Sequence, residues 1–132
     1  MSIYIDTSAL LAILDADDIN HSRAKKHWGS LIVSDEILQT SNYVLLEASA
    51  IIQSRMGIEA VRAFQTNVYP VLMIEWITQA AHDAAMASLL LAGRRRLSLV
   101  DCTSFDIMHQ WGIAKVFSFD KHFTEQGFEC IP

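Results

Sequence analysis

The chain is 132 residues long, 52% hydrophobic and only 19% charged. That balance excludes a disordered chain, and the length fits one domain that buries about two thirds of its unfolded surface around a single core. A formal charge of −5 argues against a general nucleic-acid coat protein, although local basic clusters matter more than the total for a site-directed enzyme.

The two cysteines, Cys102 and Cys130, are too few for a disulfide framework and lack zinc-site spacing, which predicts free thiols in a reducing compartment. The start of the chain shows no basic region followed by a long apolar stretch. The apolar run Leu89-Leu90-Leu91-Ala92 ends at Gly93 and three arginines, so a soluble, cytoplasmic protein without a membrane span is expected.

The chain opens with a change of hydrophobic period. Ile3-Tyr4-Ile5 is a short β-branched and aromatic run suited to a buried strand, whereas Ala9, Leu10, Ile13 and Leu14 recur at helical spacing. Asp6 sits at the joint, where an α/β sheet places its ligand crevice, although Asp6 or Thr7 serves as readily as a helix cap. After the turn residues Asp15, Asp17 and Asp18, His21 to Ile32 reads as a second helix, with Arg23, Lys25 and Lys26 toward solvent and Trp28 and Leu31 in the core. Ile37 to Thr40 reads as the second strand, and Thr40, Ser41 or Asn42 caps a helix from Tyr43 to Met56 that Gly57 ends. Ile58 to Tyr69 is a further amphipathic helix stopped by Pro70, and Val71 to Trp76 is the third strand. Thr78 caps a helix to about Ala92, and Gly93 supplies its left-handed close. The next helix begins at Ser98 or Leu99 and ends near Gly112. Lys115 to Phe119 is the fourth strand, Asp120 to Gly127 is rich in turn residues, and Phe128 to Ile131 forms a terminal strand. Strands alternating with helices predict right-handed crossovers and a mostly parallel sheet.

Four carboxylates stand out. Glu47 has Tyr43, Val44, Ala50 and Ile51 as its helical neighbours, so its charge is expected to be partly desolvated unless it lies at the helix edge. Asp101 lies near a helix start, and Ser98-x-x-Asp101 also has capping-box spacing. Asp120 ends the fourth strand as Asp6 ends the first, with a turn-initiating aspartate as its alternative reading. Parallel strands bring Asp6 and Asp120 to one sheet edge, and carboxylates gathered there repel one another unless a hard divalent cation such as magnesium or manganese joins them. His21, His27, His82, His109 and His122 show no zinc spacing and read as surface or core residues. Asp106 lies about 140° around an ideal helix from Asp101 and faces elsewhere. Trp28, Trp76 and Trp111 sit among apolar neighbours and read as core.

In order and spacing, Ile3-Tyr4-Ile5-Asp6-Thr7-Ser8, Glu47, Ser98-Leu99-Val100-Asp101 and Phe117-Ser118-Phe119-Asp120-Lys121-His122-Phe123 resemble the acidic motifs of the PIN-domain family. The likeness is greatest to its small VapC-type toxin ribonucleases, and it spans essentially the whole chain. It implies an α/β fold, a three-layer α/β/α sandwich with a five-stranded, mostly parallel sheet of order 3-2-1-4-5, formed by residues 1–132 as one domain. It implies a metal-dependent endoribonuclease in which Asp6, Glu47, Asp101 and Asp120 hold one or two Mg2+ or Mn2+ ions and Ser8 supports them without ligating. A cognate antitoxin and a homodimer are further implications. Arg94, Arg95 and Arg96 precede the Asp101 helix and are candidates for guiding RNA phosphates, as are Lys121 and His122 beside Asp120 more weakly, while the arginines serve equally as charge at a helix C-terminus.

Two other functions bear comparison. A phosphoacceptor signalling domain needs an acidic pair at the first strand, but Thr7 and Ser8 follow Asp6. A PIN fold used only to bind RNA arises when acidic positions are lost, and here all four are present.

Overall fold

A computed structural model describes residues 1–132. Its first strand, β1 (Ser2–Ile5), is buried on both faces, with Tyr4 and Ile5 fully enclosed, as β-branched and aromatic residues require in the middle of a parallel sheet. The Tyr4 hydroxyl pairs with Ser104 Oγ at 2.8 Å, which satisfies its one buried polar group. Burial pushes this phenol up to about 12.

The helices α1 (Thr7–Leu14) and α2 (His21–Ile32) lead to β2 (Ile37–Ser41), and α3 (Asn42–Met56) and α4 (Ile58–Ala63) lead to β3 (Met73–Glu75). Then come α5 (Gln79–Ala92), α6 (Leu99–Trp111), β4 (Lys115–Phe117), α7 (Lys121–Glu125) and β5 (Glu129–Ile131). All pairings are parallel and the strand order is β3-β2-β1-β4-β5. The sheet therefore grows outward from β1 in one direction and from β4 in the other, and right-handed crossovers put α1–α4 on one face and α5–α7 on the other. Side chains agree: Phe117 of β4 meets the His27 ring of α2 at 4.9 Å, while Tyr4 reaches α6 through Ser104. The switch between β1 and β4 opens a crevice at the carboxyl edge of the sheet, where ligands of such folds bind.

Several boundaries differ from the sequence reading. The helix expected over Ile58–Tyr69 is α-helical only to Ala63, after which Phe64–Val68 widens into a π turn and Tyr69–Val71 forms a 3-10 turn. Phe64 and Val68 are buried, so the wider turn keeps both on the core side. The third strand shrinks from Val71–Trp76 to Met73–Glu75 because it is an edge strand paired on one side only. The fourth ends at Phe117, not Phe119, and the turn-rich segment after it contains the helix α7. Trp28 is in the core as expected, but Trp76 and Trp111 are 64% and 55% exposed. One follows the edge strand and the other closes α6, and neither place has a layer above it. Both cysteines are free, and no helix is long and apolar enough to cross a membrane.

Candidate metal centre

Asp6 is where β1 becomes α1. Its amide still bonds Phe117 O at 3.1 Å, and its side chain already caps α1. The carboxylate is 3% exposed. Its Oδ2 accepts from Ser8 Oγ at 2.8 Å, from Ser118 Oγ at 3.0 Å and from the Ser8 amide at 3.4 Å. Each serine is held in turn, since Ser8 Oγ accepts the Phe119 amide at 3.0 Å and Ser118 Oγ accepts the Asp120 amide at 2.9 Å. Every one of these bonds falls on Oδ2, which leaves Oδ1 without a protein partner. Burial raises the Asp6 carboxyl to about 6, against the two serine hydroxyls and with help from the charges of Asp101 and Asp120. The role of Ser118 was not legible in the sequence, where a serine between two phenylalanines reads as strand.

Asp101 opens α6, and the capping alternative is realised: its Oδ2 accepts the Ser98 amide at 3.1 Å while Ser98 Oγ accepts the Asp101 amide at 3.0 Å. That box uses one oxygen, and Oδ1 is again bare. Burial holds the carboxyl above the usual range, and the Asp120 charge adds to it. Asp106 is exposed on another side of α6, as its spacing predicts.

Asp120 does not end β4; it lies three residues beyond Phe117 and caps α7, with Oδ1 accepting the His122 amide at 2.9 Å. The turn intervenes because Ser118 and Phe119 are committed to Asp6 and Ser8. Its Oδ2 also has no partner. Beside it, His122 is 8% exposed, not a bystander. Asp101, Asp120 and His122 each offer a ligand atom within 4.8 Å of the others. The inward His122-Phe123 pair next to an outward Lys121 is the only local sign of this, and it carries no ligand spacing.

Asp6 lies outside that group, though near enough for the charges of Asp101 and Asp120 to act on it, and so does Glu47. Glu47 is five residues into α3, about 7.5 Å along the axis from Asn42. The side chain is half-buried, with Val44 buried and Ile51 half-buried beside it, but Ala50 and Leu46 are exposed. The apolar surround expected of Glu47 is thus incomplete.

The basic residues divide into two sets. Arg94 is tied to Glu125 at 2.9 Å, which holds that carboxyl below its usual range. Arg95, Arg96 and Lys121 are exposed and unpaired. On α2, neither Arg23 nor Lys26 meets an acidic side chain; the Arg23 guanidinium donates to Pro132 O at 3.4 Å and lies 5.6 Å from the Phe119 ring centroid. Arg23, Lys26, His27, Ser30 and Pro132 line an open hollow of about 240 Å³. Phe119 follows β4 and Pro132 follows β5, so the hollow shares the carboxyl edge with the carboxylates.

Residues 3–129 match the PIN domain family. The chain belongs to that family. This PIN domain chain is 34% identical over 127 residues to the 23S rRNA-specific endonuclease VapC20 of Mycobacterium tuberculosis strain H37Rv, covering 96% of this chain and 95% of the relative. The solved structure of M. tuberculosis VapC20, described as a sarcin-ricin loop cleaving toxin, superposes with a TM-score of 0.82 at 32% identity, over 96% of this chain and 95% of that one. FitAcB from Neisseria gonorrhoeae superposes with a TM-score of 0.68 over 100% and 97% of the chains at 15% identity, a likeness of fold alone. The five-stranded parallel sheet of order 3-2-1-4-5 is the expected PIN architecture.

Proposed function

We propose that this PIN domain protein is a divalent-metal-dependent endoribonuclease and the toxin of a toxin–antitoxin pair, with a structured ribosomal RNA segment as its substrate class. One observation carries the reading. Asp101 and Asp120 come together at the sheet's switch point, with Asp6 near enough to feel both charges; each has one oxygen held by the protein and one bare, and no lysine or arginine pairs with them. Such a donor set suits a hard cation, Mg2+ or Mn2+, which would offset both the burial that chiefly raises Asp6 and Asp101 and the repulsion that adds to it. Glu47 completes the acidic set from α3, and Ser8 and Ser118 hold Asp6. The cation would supply Lewis-acid stabilisation of charge at the phosphodiester.

The remaining residues handle the substrate. Arg23 and Lys26 supply charge beside the crevice and exposed Lys121, Arg95 and Arg96 add to it, so a phosphate backbone is drawn past carboxylates that would otherwise repel it. Arg94 contributes less, because Glu125 occupies it. Similarity to an enzyme named for 23S rRNA supports the substrate class. A homodimer, a small antitoxin lying over the crevice and a cytoplasmic location complete the proposal, and exposed Leu46 and Trp76 are apolar surface for such partners to cover.

The test is incubation of the purified protein with a ribosomal RNA hairpin, a transfer RNA and an unstructured RNA, in Mg2+, Mn2+ or EDTA. Cleavage of the hairpin at one site, abolished by EDTA, is expected. No cleavage of any RNA with either metal would contradict the proposal.

A further inference from the structure

Asp6 is fixed by two serines, whereas Asp101 and Asp120 share a different device. His122 is more than nine-tenths buried, and its Nδ1 lies 3.1 Å from Asp120 Oδ1 and 3.6 Å from Asp101 Oδ2. It is aligned for a full hydrogen bond with neither. The geometry points to His122 as a positioning residue: its Nδ1–H bridges the two carboxylates by one oxygen each and sets the affinity of the centre for a divalent cation without ligating it. This rests on the reading of the carboxylates as a metal centre.

The location of the proton follows from what surrounds the nitrogen. A lone pair on Nδ1 would face lone pairs on two carboxylate oxygens, whereas a proton there is attracted to both. A donor shared between two acceptors makes a three-centre bond, in which neither angle is ideal. A nitrogen that carries its proton cannot ligate a metal.

The choice of oxygens matters as much. Asp101 Oδ2 also takes the Ser98 amide, and Asp120 Oδ1 also takes the amide of His122 itself. His122 therefore grips the oxygens that the backbone already holds, and leaves Asp101 Oδ1 and Asp120 Oδ2 bare. The ring has little freedom to leave, since the adjacent Phe123 is fully buried against Phe105 at 5.1 Å between centroids. No other cationic or donor side chain is bonded to Asp101 or Asp120; at the cap it is the Ser98 backbone amide that donates to Asp101 Oδ2. Without the imidazole the two carboxylates face each other with nothing between them.

The experiment is calorimetric titration of the full chain with Mn2+ alone, for wild type, His122→Asn, His122→Gln and His122→Ala. Melting curves in EDTA and in Mn2+, and electron paramagnetic resonance of the Mn2+-bound wild type, accompany it. Asparagine puts an amide N–H near the place of Nδ1, while glutamine carries its amide one methylene farther. Loss of a group that orients metal ligands costs about 10- to 100-fold in affinity, so His122→Ala and His122→Gln bind about tenfold or more weakly and His122→Asn stays within about threefold. The wild-type spectrum shows no nitrogen coupling. Should His122→Ala fail to fold, the Asn and Gln pair still decides. Equal binding by all four proteins, or equal weakening in all three variants, overturns the bridge. Nitrogen coupling in the wild type overturns it in favour of a ligand. A wild type that binds no Mn2+ overturns the metal-centre reading itself, and is distinguished by that.

Discussion

In metal-free protein near neutral pH, Asp6→Asn should raise stability. Burial lifts the Asp6 carboxyl from the ordinary 3.8 to about 6, and 1.36 kcal/mol per pKa unit makes its ionised form cost the fold about 3 kcal/mol. The folded state binds this proton more tightly than the unfolded chain does. Stability from the protonated form is therefore fully present below about pH 4 and is lost as pH rises through about 6. Asparagine is neutral at every pH, and because all the bonds to Asp6 fall on Oδ2, a single amide oxygen can accept them. Urea unfolding in EDTA should thus show the variant more stable by up to about 3 kcal/mol at pH 7.5, and by about half of that at pH 5. Added Mg2+ or Mn2+ should stabilise wild type by mass action and the variant much less. A variant less stable than wild type at pH 7.5, or a difference independent of pH, would refute the reasoning.

Asp101 gives a different result because its cap is real. In EDTA, Asp101→Ala should be about 0.5 to 2 kcal/mol less stable than Asp101→Asn, which keeps an acceptor for the Ser98 amide, and melting with added metal should show neither gaining as wild type does. Glu47→Gln should lose RNA cleavage with unchanged circular dichroism, whereas Asp106→Asn should cleave as wild type; an inactive Asp106→Asn would mean that the wrong carboxylate was chosen. Replacing Arg23 and Lys26 together with glutamine should weaken RNA binding and flatten the slope of log K against log salt by about 1.5 to 2, while Arg94→Gln should leave the slope nearly unchanged. An unaltered slope in the double variant removes α2 from the RNA path.

What could be read from the chain follows the range over which the physics acts. The β1-Asp6-α1 joint was legible because a centrally buried strand and a helix have different periods, and the box at Ser98 and Asp101 because capping is a matter of three residues. The sheet order came from the resemblance, since crossovers leave no local mark. β3 was overestimated because an edge strand ends where pairing ends, not where apolar residues end. Trp76 and Trp111 were misplaced by a similar logic, their neighbours being apolar but their positions uncovered. The pull of Ser118 on Asp6 acts across 112 positions, and that of His122 on Asp101 depends on where α7 packs. No spacing rule reports either. Glu47 stands out in the sequence for an apolar surround that is only partly there.

The central claim is that the bare oxygens of three carboxylates hold a divalent cation. Anomalous diffraction from crystals grown with Mn2+ tests it most directly. A peak bonded to Asp6 Oδ1, Asp101 Oδ1 and Asp120 Oδ2, with His122 outside bonding distance, is the predicted result. No peak in the crevice at millimolar Mn2+, or one held by residues other than these, would contradict it.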